Sequence, residues 1–357
     1  MFGWYSQAHV CYAYLDDVAL SKSQIPHGFA SSKWFTRGWT LQELIAPTTV
    51  EFYDKSWSFI GTKGSLLDKI AKITAISYEA LTHPRSVWTE SIAERMSWAA
   101  SRTTTKDEDG AYCLMGIFDV NMPLLYGEGM TKAFRRLQMQ IMVNSGDLSI
   151  FAWKIRHPRH DTRYGPLPSE PCGVLTSSPK AFLKHRTDTA IVSNDNVKAS
   201  AGPLLSSLLT VTNLGLSVSL PLLQLDLSTV AVLNCQRNGK WVGIHVHLDS
   251  ETGCYYRKRL TEVVLIDSSI KLEQPQPIYL STDEPSSVRP NFWFPTFLSV
   301  IDTTNSSHPY KITRIRDWIF EGLDGPWSSS KIIAEIIFLF FSDFIVGRYA
   351  LMVSHGI

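Results

Sequence analysis

The chain has 357 residues, and 44% of them are hydrophobic, which is enough to bury one large core or two smaller ones. Its 34 basic and 33 acidic residues nearly cancel, whereas a duplex-binding protein needs an excess of Lys and Arg, so we exclude nucleic acid as the main partner. The five cysteines lack CxxC spacing and predict no disulfide framework, which fits a reducing, cytoplasmic setting.

The sequence contains no segment that we interpret as a membrane anchor. Its beginning lacks the charged-then-apolar layout of a signal peptide. The most apolar stretch, residues 332–346, is interrupted by Glu335 and Asp343 and is shorter than the ~20 residues that a membrane span requires. We therefore predict no membrane span, and a buried helix over 332–346.

The first predicted element is a strand at residues 9–15, a nearly continuous apolar run that ends in Asp16 and Asp17. Such a run is typical of a strand covered on both faces in a parallel sheet. Because a strand of this kind has neighbours on both sides, we expect further strands to be encoded upstream and Met1 to mark a truncated start. Ligands bind at the carboxyl ends of parallel strands, which makes Asp16 a candidate binding residue. The alternative is a turn that caps the next segment.

Six further segments predict five helices and one strand in the first half of the chain. Serines cap a predicted helix that Pro47 stops, and two Ser/Thr-x-x-Glu capping boxes predict two later helix starts. Apolar residues at helical spacing predict the others. The predicted helices cover residues 32–45, 66–73, 92–101, 106–118 and 130–144, with a strand at Val50–Tyr53.

The pattern changes after Trp153. Residues 154–171 are rich in Pro, His and Arg and read as a linker. Apolar and polar residues then alternate, as at 216–220 and 242–248, which predicts antiparallel strands. We predict an α+β protein: an α/β segment with a helical extension at 1–153, the linker, a mostly antiparallel β domain at 172–280, and an unassigned mixed tail at 281–357.

One string in the predicted helix at 32–45 resembles a known family. Arg37-Gly38-Trp39-Thr40-Leu41-Gln42-Glu43-Leu44 is similar to the end of the fungal heterokaryon-incompatibility (HET) domain. The resemblance is dense over 1–153, weaker over 172–260 and absent past about 285. The segments typical of the family's N-terminal half are not found in this sequence. It continues in residues 91–99, 108–118, 121–129 and 133–138.

The resemblance implies a truncated segment similar to Toll/interleukin-receptor (TIR) domains, since HET domains are similar to these. It also implies a role in vegetative incompatibility, the self/non-self recognition by which fungi trigger programmed cell death, a form of innate immunity. The implied partners are proteins, including further copies of the chain. A rival hypothesis is a decayed gene product without activity.

Some TIR domains hydrolyse NAD, and the resemblance makes Glu43 the counterpart of their catalytic glutamate. Thr40 stands where those enzymes often have cysteine. A carboxylate can stabilise the oxocarbenium-like ribose, and the indole of Trp39, one turn earlier, can stack on the dinucleotide. NAD would then be a substrate, and no cofactor is implied. On a continuous helix, however, Glu43 falls on the arc opposite the apolar stripe, where an ordinary solvated glutamate lies. We therefore lean towards a non-catalytic module.

His245 and His247 are the best candidates for a metal site, since they lie two residues apart on one predicted strand face. Two histidines on the solvent-exposed face of an amphipathic strand usually have no role beyond contact with water. We predict no metal site.

Overall fold

A computed structural model describes residues 1–19, 28–155, 171–184, 188–193, 209–225 and 228–283, with strand segments at 298–301, 333–337 and 348–351. The chain divides into two compact units, Met1–Val288 and Arg289–Ile357. Both helices and sheets are present, so the protein is α+β, as predicted. Within the first unit we call residues 1–153 the helical region and residues 172–283 the β region.

All but one of the described α-helices in the helical region have eight residues or fewer, and two of them end at left-handed residues, Ala75 and Asp119. Single-turn 3-10 helices lie between and after them, for example at Lys33–Thr36 and Leu148–Phe151. The α-helices are α1 (Phe2–Gln7), α2 (Thr40–Ile45), α3 (Leu67–Thr74), α4 (Tyr78–Thr82), α5 (Ile92–Ala99), α6 (Asp109–Tyr112), α7 (Met115–Phe118) and α8 (Met130–Asn144).

A three-stranded sheet lies among these helices, with strands β1 (Cys11–Tyr14), β2 (Val50–Tyr53) and β3 (Phe59–Thr62) in that order. The predicted parallel pairing of the first strand is confirmed, because β1 is parallel to β2, whereas β3 is antiparallel to β2. The prediction that both faces of β1 are covered is wrong. Ala13 is buried, but Tyr12 on the opposite face is 63% exposed, because no described element packs over it.

The β region forms a nine-stranded sheet in which one pair, β10 and β12, is parallel and the other pairs are antiparallel. Its strands are β4 (Val192–Ser193), β5 (Thr210–Thr212), β6 (Gly215–Leu220), β7 (Leu222–Leu225), β8 (Ser228–Arg237), β9 (Lys240–Leu248), β10 (Tyr255–Arg257), β11 (Val264–Ile266) and β12 (Gln276–Leu280). Alternation correctly predicts β6, whose Leu216, Val218 and Leu220 are buried.

Several predicted helices differ from the structure in extent. The helix expected over 106–118 is two single turns, α6 and α7, and Glu108 begins the first one without Thr105 as its cap. The helix expected over 32–45 is interrupted at Arg37, which is extended. The helix at 130–144 is confirmed as α8, with Phe134 and Leu137 fully buried.

One cluster of buried apolar side chains runs through the first unit from Phe2 in α1 to Leu280 in β12. It joins the helical and β regions in a common core. The linker predicted at 154–171 lies almost entirely outside the described residues.

In the second unit, Leu298–Ile301 (β13), Ile333–Ile337 (β14) and Arg348–Leu351 (β15) form an antiparallel sheet in the order β13-β14-β15. The buried helix predicted over 332–346 is therefore wrong at 333–337, where β-branched isoleucines favour a strand. The rest of the predicted tail lies outside the described residues.

Among the described residues, we find no helix with the length and apolarity required to cross a bilayer.

Candidate functional site

The site is built around α2, which carries Trp39 at its start and Glu43 one turn later. Gly38 sets the beginning of this helix. Its amide donates to the Thr103 carbonyl at 2.9 Å, and a Cβ at this position would lie 2.4 Å from Thr104 Cγ2. A side chain at this position would displace Thr104, and the extended backbone of Arg37 ends the preceding 3-10 helix before α2 begins.

A buried arginine fixes α2 to the end of α5. The guanidinium of Arg102 donates to the Arg37 carbonyl at 2.8 Å, to Thr40 Oγ1 at 3.0 Å and to the Trp98 carbonyl at 3.2 Å. Burial lowers the pKa of Arg102 to about 10, so it remains cationic at neutral pH. This positive charge lies near Glu43 and favours its ionised form.

Glu43 is half-buried and bonded to another side chain. The Tyr5 hydroxyl donates to Glu43 Oε1 at 3.2 Å. Burial raises the pKa of Glu43, although the bond from Tyr5 and the charges of Arg37 and Arg102 act in the opposite direction. Burial and the neighbouring carboxylate raise the pKa of Tyr5 to about 12, so the phenol keeps its proton. The helical-wheel interpretation of Glu43 as a freely solvated residue is therefore wrong, because α1 covers it.

Lys63 closes the other end of α2. Its Nζ donates to the Leu44 carbonyl at 3.1 Å and to the Pro47 carbonyl, which satisfies acceptors that the helix leaves free. Lys63 is 3% exposed, and burial lowers its pKa to about 8. The half-buried Cys11 thiol, whose pKa is raised by burial and by the charge of Glu43, completes this polar group around α2.

A cleft of about 1140 Å³ opens on another side of α2. Trp39 and Gln42 contribute to its wall from α2, and Glu43 and Asp16 are not among its lining residues. The other main contributors are Phe2, Gly3, Arg85, Trp88, Tyr112, Met115, Gly116 and Asp119. A pocket of this size accepts a ligand as large as a dinucleotide.

Gln42, a residue of the cleft wall, has an unsatisfied acceptor. Its Nε2 donates to the Cys113 carbonyl at 2.5 Å, which fixes the orientation of the amide. The buried Oε1 then accepts no hydrogen bond from any described residue. Gly116 leaves the room for it, since a Cβ there would lie 2.6 Å from Oε1.

The three predicted site residues thus do not converge. Trp39 lines the cleft, Glu43 faces Tyr5, and Asp16 is exposed in the turn after β1. The neighbouring Asp17 has the capping role that the alternative interpretation assigned to this turn, since it accepts from Ser32 Oγ and the Lys33 amide, each at 2.7 Å.

Tyr5, Lys63 and Arg102 were missed by the sequence analysis. Each is distant in sequence from Glu43, and no local spacing marks it as a neighbour.

His245 and His247 both belong to β9, two residues apart, but the prediction that both lie on a solvent-exposed face is wrong. His245 is 5% exposed with Nε2 at 3.3 Å from Glu262 Oε1, whereas His247 is exposed. The described residues contain no group of three or more His, Cys, Asp or Glu side chains arranged to hold a metal ion. The five cysteines are all free thiols.

Comparison with known proteins gives two matches. A family model described as a domain of unknown function (DUF8212) matches residues 132–291. The chain is also 46% identical over 170 residues to the vegetative incompatibility protein HET-E-1 of Podospora anserina. That alignment covers 46% of this chain and 12% of the length of HET-E-1. No solved structure matches the chain.

Proposed function

We propose that the chain is a cytoplasmic module of the fungal vegetative incompatibility system, which recognises self or non-self through protein contacts and triggers growth arrest or cell death. The identity of 46% over 170 residues with HET-E-1 carries this proposal. At that identity the matched segment shares its fold with the relative. The activity of the whole relative, which is far longer, is part of what we propose.

The geometry around α2 supports a role in protein binding more than a role in catalysis by Glu43. Glu43 accepts from Tyr5 and does not line the cleft, so a substrate in the cleft would not meet its carboxylate without a movement of α1. No second carboxylate or histidine is hydrogen-bonded to Glu43 among the described residues. We propose that the arrangement is structural and that the module works by binding proteins, among them further copies of itself.

We also propose, as the sequence resemblance implies, that residues 1–153 form a partial HET domain related to TIR domains. The unit β1-α2-β2 supports this, because two parallel strands joined through a helix are the repeating element of such α/β folds. We keep the division into 1–153, 154–171, 172–280 and 281–357 as part of the same proposal.

Inducible expression of the chain in a filamentous fungus tests the proposed role. We expect growth arrest and dye uptake by hyphal cells after induction. The matched control is Arg257→Met, which removes a buried structural residue and should abolish the effect, whereas Arg259→Met should not. Normal growth at equal levels of folded wild-type protein would refute the proposal.

The second candidate is hydrolysis of NAD through Glu43. It is favoured by the indole of Trp39 on a cleft of about 1140 Å³, one helical turn from a carboxylate whose pKa is raised by burial. Glu43 accepts from Tyr5 and does not line the cleft. For its carboxylate to reach a bound dinucleotide, the hydrogen bond from Tyr5 would have to break.

Incubation of the purified chain with NAD separates the two candidates. Catalysis predicts nicotinamide release that falls at least about 100-fold in Glu43→Gln. Glu51→Gln is the matched control, since Glu51 also accepts from a tyrosine, Tyr53, at 2.8 Å. We expect no nicotinamide release from the wild type, Glu43→Gln or Glu51→Gln. Release by the wild type and Glu51→Gln that is lost in Glu43→Gln would instead establish the chain as an enzyme.

A further inference from the structure

A cavity of about 130 Å³ is lined by the turn before α2, the turn after α5 and the start of the 3-10 helix Pro179–Phe182. At ~30 Å³ per molecule it has room for about four waters, so it fits a small ion and is too small for a nucleotide. No residue that precedes Gly38 lines it, so the beginning of the chain contributes nothing to its wall.

Arg102 is the buried cation of this wall, with 7% of its surface exposed. A buried charge normally has an ion-pair partner or lies against an aromatic ring. Two other buried arginines have a ring: Arg95 lies 4.7 Å from the centre of the Phe118 ring, and Arg257 lies 3.8 Å from that of Trp153. Among the described residues, Arg102 has neither a ring of this kind nor a carboxylate hydrogen-bonded to it.

One amino group of the Arg102 guanidinium is left without an acceptor. Its Nε and Nη1 donate to Trp98, Arg37 and Thr40, none of which lines the cavity. The buried Nη2 has no hydrogen-bond partner in the part of the chain that the structure describes. The Cys113 thiol, whose charge acts on the pKa of Arg102, does line the cavity, so we infer that Nη2 lies on the cavity side. A donor placed there requires an acceptor that is not part of the fold.

The other polar groups of the wall favour an anion as that acceptor. The hydroxyl groups of Thr104 and Ser178 and the ammonium group of the exposed Lys180 belong to it. Asp107, also exposed, is the one carboxylate among the lining residues, so Arg102, Lys180 and Asp107 together give the wall two positive charges and one negative charge. Guanidinium and ammonium groups are the side chains that bind phosphate groups most often.

We propose that this cavity binds a phosphate-type oxyanion, with Arg102 Nη2 at its buried end and the Ser178 hydroxyl and Lys180 ammonium at its exposed end. A tetrahedral oxyanion has an acceptor oxygen for each of these three donors, and its charge compensates that of Arg102, which water alone would not. Because Ser178 and Lys180 belong to the β region and Arg102 to the helical region, the bound ion would join the two regions.

Isothermal titration calorimetry of the full chain with inorganic phosphate tests this site. In chloride buffer at constant ionic strength, we expect saturable binding of one phosphate per chain. Acetate, which offers two acceptor oxygens, should bind at least about tenfold more weakly. Titration with AMP identifies the source of the oxyanion. Affinity equal to that for phosphate would show that the site accepts the phosphoryl group of a larger molecule, whereas binding of phosphate alone would restrict it to the free ion.

Two exposed residues of the wall give effects of opposite sign without disturbing the core. Lys180→Gln removes a positive charge and should weaken phosphate binding at least about threefold. Asp107→Asn removes the negative charge and should strengthen it at least about threefold. Lys72→Gln is the matched control, because Lys72 is exposed on α3 and does not line the cavity, and it should bind phosphate like the wild type.

Arg102→Lys keeps the positive charge and removes Nη2, so it should weaken phosphate binding at least about tenfold. Circular dichroism shows whether this variant folds, and if it does not, Lys180→Gln and Asp107→Asn decide the matter. The proposal fails if the wild type shows no saturable heat with phosphate, or if acetate binds as tightly as phosphate. It also fails if Lys180→Gln and Asp107→Asn both bind like the wild type, because the phosphate would then be an adventitious ion elsewhere on the surface.

Discussion

The helical region and the β region satisfy their buried backbone groups in different ways. In the β region the strands pair with one another, so most N–H and C=O groups are bonded by the ladder itself. In the helical region the elements are short, and buried side chains such as Gln42, Lys63, Arg102 and Asp147 bond to backbone groups of distant segments. Hydrogen bonds from side chains therefore satisfy buried backbone groups in the helical region, whereas strand pairing satisfies them in the β region.

This difference has a consequence for the candidate site. α2 lies in the helical region, where buried backbone N–H and C=O groups are hydrogen-bonded by individual polar side chains. A buried polar residue there is therefore not by itself a sign of catalysis. Glu43, Arg102 and Lys63 all have perturbed pKa values, yet each makes a contact that orients α2. Structural networks shift pKa values as active sites do.

The largest expected effect is at Arg257, one of several residues that join the two regions. Arg257 of β10 is 1% exposed, donates to the Phe151 carbonyl at 2.6 Å and to the Trp153 carbonyl, and stacks 3.8 Å above the Trp153 ring. We expect Arg257→Met to lower the free energy of unfolding by about 3 kcal/mol or more, because it leaves two buried carbonyls without donors.

Urea denaturation measures this effect, and Arg259→Met is the control, since Arg259 is largely exposed and contacts Glu262 at 3.7 Å. The control should change the free energy of unfolding by less than about 0.5 kcal/mol. Equal losses in the two variants would mean that Arg257 does not join the regions in the way described.

The sequence predicts the β region better than the helical region for the same physical reason. Alternation of Leu216, Val218 and Leu220 is a local pattern, and pairing follows from it. The break at Arg37 is stabilised by the hydrogen bond from the Gly38 amide to the Thr103 carbonyl, more than sixty positions away, and a continuous helix is the natural prediction without that contact. Trp39 and Glu43 were found through resemblance, whereas the tyrosine that covers Glu43 could be found only in three dimensions.

The second prediction compares hydrogen bonds from backbone amides to an aspartate carboxylate in the helical region and in the β region. Asp147 is 7% exposed and its two carboxylate oxygens accept from the Ile92 amide at 2.7 Å and the Ser149 amide at 2.9 Å. We expect Asp147→Asn to cost about 1–2 kcal/mol, because the amide group has one acceptor oxygen for two buried donors.

The matched variant in the β region is Asp249→Asn, since Asp249 accepts from the Glu251 amide at 3.0 Å in an exposed turn. It should cost less than about 0.5 kcal/mol by urea denaturation, because water replaces the lost bond. A larger loss at Asp249 than at Asp147 would contradict the contrast between the regions.

A smaller, pH-dependent effect is expected at Glu108. The amides of Gly129 and Gly127 donate to its Oε1 at 2.9 and 2.8 Å and lower the pKa of this carboxyl. A lowered pKa means that the ionised group stabilises the fold above its unfolded pKa, and that this contribution is lost as pH falls through the folded pKa.

Glu108→Gln keeps an acceptor oxygen and removes the charge. The wild type should therefore be more stable than Glu108→Gln at pH ~7, and the difference should shrink at pH ~3, as measured by urea denaturation at both values. A difference that is constant with pH would show that the charge of Glu108 contributes nothing.

The smallest effect, with the opposite sign, is expected at Glu43. Burial raises its pKa, so the folded state binds a proton more tightly than the unfolded state, and stability falls as pH rises through the folded pKa. Glu43→Gln is neutral at every pH and can still accept from Tyr5. It should be as stable as the wild type or more stable at neutral pH, and the advantage should disappear below the unfolded pKa.

If Glu43→Gln is instead less stable than the wild type at neutral pH while nicotinamide release stays absent, the attraction between Glu43 and Arg102 outweighs the cost of burial. The carboxylate would then belong to the set of side chains that hold the helical region together.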